Sequence, residues 1–401
     1  MNQLFNDSEK LVFDICKDSF LSFWSYSNPL GKKSKELCDI LVVCDPDIII
    51  ISVKDIKVTN SGNIETDWKR WQKKAIDASA KQIYGAERWL NSVSNVIKSD
   101  GSIGIKLPQL EQRRIHRVAI ALGNKGKTSI KFGDLGNGFV HVFDDISLNI
   151  VMIELNTISD FVNYLLAKEN LYTSGRKTLF QGGEEDLLAI YLHNGRQFPK
   201  EFKNLIIGDD LWEDFIEKDV YNAKQNEDEI SYVWDKIIEI ISKDVLDGNL
   251  EFGPELNESE IALRIMAQEN RFGRRILGKT FMEFYELVRE RKIQARMAAS
   301  YSNTIYVFLG MDHDVPRDYR KAVLAGRCLV ARGIYKNCKT VIGIATERYE
   351  DGKGYSFDLM CMYIPKWTED FQKQFEYLQN EFGYFKNSIY SNSHEDEYPQ
   401  E

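Results

Sequence analysis

The sequence predicts an α/β protein in which two α/β regions flank a mainly helical stretch. Two short runs of β-branched residues, 40–43 and 48–51, lie either side of Asp45-Pro46-Asp47 and predict a buried β-hairpin. Between Thr66 or Asp67 and about Leu90, Trp68, Trp71, Ala75, Ser79, Gln82 and Ala86 recur at three- and four-residue steps, the period of a helix with one buried face. After Ser302, strand-like and helix-like patterns follow the order β-α-β-β-α, which suits a small α/β module.

Each element has its own signal. Residues 7–26 carry Leu11, Phe13, Ile15, Phe20, Phe23 and Trp24 in a mostly helical spacing that stops at Ser27-Asn28-Pro29-Leu30-Gly31. In the hairpin, a two-residue turn puts Asp39 on the face that carries Ser52 and Lys54, whereas an odd loop separates them. The even register is favoured, because those polar groups then satisfy one another and an isolated buried carboxylate is costly. The 66–90 helix, capped by Thr66 or Asp67, comes next. Residues 115–122 and 138–143 read as strands, the first closing the sheet beside the hairpin, and Thr157 caps a helix over 157–168.

These boundaries divide the chain. A first domain is expected over 1–168 and a mainly helical region over 169–302, with Gly182-Gly183 and residues 248–254 as loop punctuation. Basic groups there, at Arg271, Arg274, Arg275 and over 289–296, read as solvated helix charge. The α/β module covers 303–388, and 389–401 reads as a disordered acidic tail.

The ends of the hairpin carry chemistry. An aspartate opening one strand, a turn, and an acid-X-Lys tripeptide late in the next strand resemble the pattern of the PD-(D/E)XK nuclease superfamily, the restriction-endonuclease-like fold. Helix, hairpin, helix is also the order of that family's core. The resemblance covers the N-terminal domain, and Ser52 stands where the second acid belongs. It implies that Asp39 holds a divalent metal, Mg2+ or Mn2+, and that Lys54 orients water and neutralises developing charge. Glu36, Asp55 or Glu9 is left to complete the metal site, since magnesium prefers about six oxygen ligands. Gln82 lies on the helix stripe where related enzymes place a polar group facing the site; a glutamine hydrogen-bonded at a core edge is the other reading.

Charge is consistent with a nucleic-acid substrate near this segment. The formal net charge of the 401-residue chain is -9, which excludes a protein that coats nucleic acid by bulk attraction. Residues 31–131 nevertheless hold 19 Lys and Arg against 11 Asp and Glu. Lys32, Lys33 and Lys35 precede the hairpin, and Lys69, Arg70, Lys73, Lys74 and Lys81 belong to the helix, so DNA phosphates are their expected partners.

Other classes are less well served. No apolar run approaches the roughly 20 residues that span a bilayer, so a cytoplasmic protein without membrane contact is expected. Six scattered cysteines read as reduced core residues. Gly123-Asn-Lys-Gly126-Lys127-Thr128 has two residues where a Walker A loop needs four, and a hairpin loop is expected instead. A second candidate site, Asp312, His313 and Arg317, follows the first strand of the C-terminal module, where α/β sheets often bind ligands. The expectation is a metal-dependent DNA nuclease, resembling bacterial restriction or antiphage effectors, whose C-terminal half senses, self-associates or binds a partner subunit. The alternatives are an inactive nuclease-derived binding module and a regulatory subunit with a C-terminal ligand site.

Overall fold

A computed structural model describes residues 6–124, 130–175, 177–201, 204–247, 256–387 and 395–399. It is of the α/β class and divides into two compact units, Met1–Asn222 and Ala223–Glu401. No helix among the described residues is long and apolar enough to cross a membrane.

In the first unit, helix α1 (Asp7–Phe20) starts where the Asn6 side chain accepts the Glu9 amide. It stops six residues before the sequence pattern suggests. Leu21 takes a φ of 67°, and the chain then forms β1 (Ser25–Ser27), whose backbone pairs with β2 (Ile40–Cys44). Strand β3 (Asp47–Asp55) completes the hairpin; Cys44 pairs with Asp47, so the turn is Asp45-Pro46, with a cis peptide. The even register expected from sequence is the one formed.

The predicted long helix consists of α2 (Ile64–Gln72), a π turn over Lys73–Asp77 and α3 (Ala78–Leu90). Asn63, not Thr66 or Asp67, is its cap. Asp67 instead reaches back to the Thr59 hydroxyl and to the Ser61 amide at 2.7 Å. A small antiparallel pair, β4 (Asn95–Ile97) and β5 (Ile103–Lys106), precedes β6 (Arg114–Leu122), which lies parallel to β3. Strands β7 (Gly133–Asp134) and β8 (Phe139–Phe143) extend the sheet to the order β1-β2-β3-β6-β8-β7. The expected loop at Gly123 lies largely within 125–129, outside the described residues.

Cross-strand partners share a face, so the register assigns the two sides. Ser52 pairs with Ala119, and Ala119 with Val142; α3 covers this side, where the two small residues Ala119 and Ala121 let it approach. Ile51, Val118 and His141 point the other way, toward the side carrying α1. Beyond β8 come α4 (Ser147–Glu154) and α5 (Ile158–Thr173), the latter capped by Thr157 as expected. Then β9 (Lys177–Phe180), α6 (Glu184–His193), β10 (Asn204–Ile207) and α7 (Leu211–Ile216) follow. The parallel pair β9–β10 lies in a stretch whose composition reads as helical.

The division between units falls inside α8 (Asp219–Asp228). The second unit continues with α9 (Tyr232–Leu246), α10 (Leu256–Ala267), α11 (Arg271–Arg289), β11 (Ala295–Ala299), β12 (Thr304–Met311), α12 (Arg317–Ile334), β13 (Thr340–Glu347), β14 (Phe357–Tyr363) and α13 (Glu369–Phe382). Its sheet runs β11-β12-β13-β14, with β12 and β13 parallel. One face packs Val307, Leu309, Val341 and Ala345 with Leu324 and Cys328 of α12. On the other, Tyr306 and Phe308 meet Trp234 of α9, and Phe308 also meets Phe281 and Phe284 of α11.

Two expectations for this unit are corrected. Arg271, Arg274 and Arg275 are buried rather than solvated: Asp235 accepts from Arg271 and Arg274, each at 2.7 Å, and Asp228 lies 3.3 Å from Arg275. Buried guanidinium groups demand such acceptors. For the same reason residues 395–399 are not a free tail, since Arg275 donates to the Asp396 carbonyl at 2.7 Å and Lys279 pairs with Glu395 at 2.8 Å.

Candidate functional site

The hairpin register sets Asp39, just before β2, beside the end of β3. Asp39 is 2 % exposed. Its Oδ2 accepts the Val53 amide at 2.5 Å and the Lys54 ammonium at 3.3 Å, while Oδ1 accepts Gln82 Nε2 at 3.3 Å. Lys54 Nζ also donates to the Val53 carbonyl at 3.1 Å. Ser52 Oγ donates to Gln82 Oε1 at 2.9 Å and sits 3.1 Å from Ser79 Oγ. A continuous polar chain therefore runs from Ser79 through Ser52, Gln82 and Asp39 to Lys54. Gln82 links the helix to the acid.

Three acids stand as candidates to join Asp39, and the structure separates them. Glu36 is close enough to Asp39 for the two carboxyls to influence one another, and its own is pushed up to about 7. Burial is the largest cause, followed by the hydrogen bond with Asp39 and the charges of Asp39 and Glu9, with Lys54 pulling the other way. A cation beside Glu36 would favour its charged form against this burial and the nearby negative charge. Glu9 acts on Glu36 through its charge. Asp55 follows Lys54 on the opposite side of β3 and accepts the Ser8 hydroxyl at 2.7 Å.

The donor set fits a hydrated hard cation better than a closed cage. Among the described residues, no three His, Cys, Asp or Glu side chains gather as a metal-binding group. Asp39, Glu36 and the Val53 carbonyl supply oxygen alone, and magnesium characteristically keeps several waters beside one or two carboxylates.

The basic residues of this segment lie at the surface. Lys32 and Lys33 lie in the Lys32–Ser34 turn, and these two, Lys35, Arg70, Lys73, Lys74 and Lys81 are exposed. Lys69 is exposed too, paired with Glu65 at 2.6 Å.

The second candidate constellation is divided between ion pairs. Asp312 contacts Arg348 at 3.0 Å and Arg291 at 3.3 Å, whereas Arg317 donates to Asp358 at 2.6 Å. Asp358 and Glu347 also hold Arg320, so these charges lock α12 to the sheet. His313 is half-buried in the loop between.

Sequence reasoning placed Ser79 on the helix stripe without a role at the site. Its spacing three residues before Gln82 is the signal that links the two. No family model, curated protein or solved structure matches the chain.

Proposed function

We propose that the first unit is a divalent-metal-dependent nuclease that hydrolyses DNA phosphodiesters, in the manner of the PD-(D/E)XK enzymes it resembles. The observation that carries this reading is the meeting of Asp39, Lys54 and Gln82 on one face, with Glu36 alongside. Asp39 and Glu36 would hold the metal, so that the acid missing at Ser52 is supplied from before β2. Magnesium, when bound, polarises the phosphoryl oxygens and lowers the barrier to forming hydroxide. Lys54, fixed between Asp39 and the Val53 carbonyl, orients the attacking water and neutralises charge on the phosphoryl group. Gln82 holds the Asp39 carboxylate in place. The exposed lysines of the Lys32–Ser34 turn and of the helix would hold the DNA backbone. Restriction or antiphage defence in the cytoplasm is the cellular role this activity suits.

The test is cleavage of supercoiled plasmid by the purified chain. Cutting should require Mg2+ or Mn2+, disappear in Asp39→Ala, and slow by about 10²–10³ in Lys54→Met, as for loss of one charge-stabilising donor. DNA bound with steep salt dependence but never cut in either metal would instead identify a binding module.

A further inference from the structure

A cavity in the first unit, of about 370 Å³, opens beyond the end of β8. Phe132, Phe180, Asp144, Ser147, Glu184 and Glu185 line it. It lies past the carboxyl end of a parallel strand, a usual ligand position in α/β sheets, and its volume is that of a small-molecule site. We propose that it binds a small organic cation, an amine carried on an apolar body.

The polar groups decide the sign of the ligand's charge. The starts of α4 and α6 both reach the cavity, and two free helix N-termini would suit an anion. Side-chain carboxylates already stand at both ends. Asp144 Oδ1 accepts the Ile146 amide at 3.2 Å, the Ser147 amide at 3.0 Å and the Ser147 hydroxyl at 2.8 Å. Asp186 accepts the Gly183 amide at 2.8 Å. An anion would find carboxylates in place of donors.

Only one of the three lining carboxylates is neutralised from within. Glu184 takes Lys168 Nζ at 2.5 Å and the Tyr164 hydroxyl at 2.7 Å. Among the described residues, no basic side chain pairs with Asp144 or Glu185. The Glu185 carboxyl is raised, first by burial and, against the pull of its own backbone amide, by the charges of Asp186, Asp144 and Glu184, so a cation there would relieve existing repulsion.

The walls suit the apolar part. Phe132 and Phe180 meet edge to face at 5.8 Å, and the Lys168 ammonium lies 4.4 Å from the Phe132 ring centre, so that ring already receives a cation. Behind these rings polar capacity is left open. Tyr172 stacks on Phe180 and meets Phe132 edge-on, and its buried hydroxyl has no partner among the described residues. His141, 1 % exposed against Phe139, likewise has neither ring nitrogen partnered. Among the described residues, no three acidic, histidine or cysteine side chains gather as a metal-binding group, which favours an amine over a metal ion.

Calorimetric titration of the full chain tests this with phenethylamine and its neutral counterpart 2-phenylethanol. Phenethylamine should bind at least tenfold more tightly, and Glu185→Gln, a half-buried and isosteric change, should weaken it about tenfold, or roughly 1.4 kcal/mol. Phe180→Ala should weaken both compounds together. Absence of phenethylamine binding, equal binding of the two compounds, or unchanged affinity in a folded Glu185→Gln protein would overturn the proposal.

Discussion

Asp39 and Lys54, at the two ends of one hairpin, form an ion pair at 3.3 Å in which the acid is almost wholly buried and the lysine remains about one-third exposed. The same carboxylate oxygen also accepts the Val53 amide, so Asp39 serves the backbone as well as the candidate site. Asp39→Ala would leave that amide buried without an acceptor. Unfolding in urea should show a loss of about 1–3 kcal/mol with an unchanged slope. Asp39→Asn keeps an acceptor and should lose less.

The pH response of metal-free protein should report on Glu36. Its folded carboxyl titrates at about 7 against an ordinary 4.5, so between those values the folded state binds more protons than the unfolded state. Stability must therefore fall as pH rises through that window. Glu36→Gln removes the effect. Because Glu36 is only half-buried, the variant should gain about 1 kcal/mol over wild type at pH 8 and nothing near pH 4. Thermal unfolding at the two pH values measures this, and an equal gain at both would show that the raised Glu36 carboxyl is not the cause.

How far the site is legible in the sequence follows from the range of each interaction. The isoleucine run, the proline turn and the strand period are local, so the side shared by Asp39, Ser52 and Lys54 follows from counting residues. The helix period likewise points Gln82 toward the sheet. Glu36 is different: its relation to Asp39 depends on residues 30–37 folding back, where Leu30 bridges to Glu36. The burial of Arg274 is hidden as well, because its partner Asp235 is 39 residues away and charge on a helix reads locally as solvated.

DNA binding should track the exposed basic face. Lys73→Ala and Lys74→Ala, measured as log affinity against log salt, should each lower the slope by about 1. Cleavage at saturating DNA should change little, since neither residue contacts Asp39 or Lys54. A slope unchanged in the double variant would place the DNA elsewhere.

In the second unit, Asp235 holds two buried arginines at once. Asp235→Ala strands both charges and should destabilise that unit by about 3–5 kcal/mol. Denaturant unfolding followed through Trp234, which lies on the same helix, would detect it. A loss below 1 kcal/mol would mean that water or a neighbouring acid replaces the carboxylate.

Manganese soaked into crystals of the protein tests the nuclease account most directly. The account predicts an anomalous peak shared by the carboxylates of Asp39 and Glu36, absent from Asp39→Asn crystals. No peak there at saturating manganese, or a peak that persists without Asp39, would contradict it.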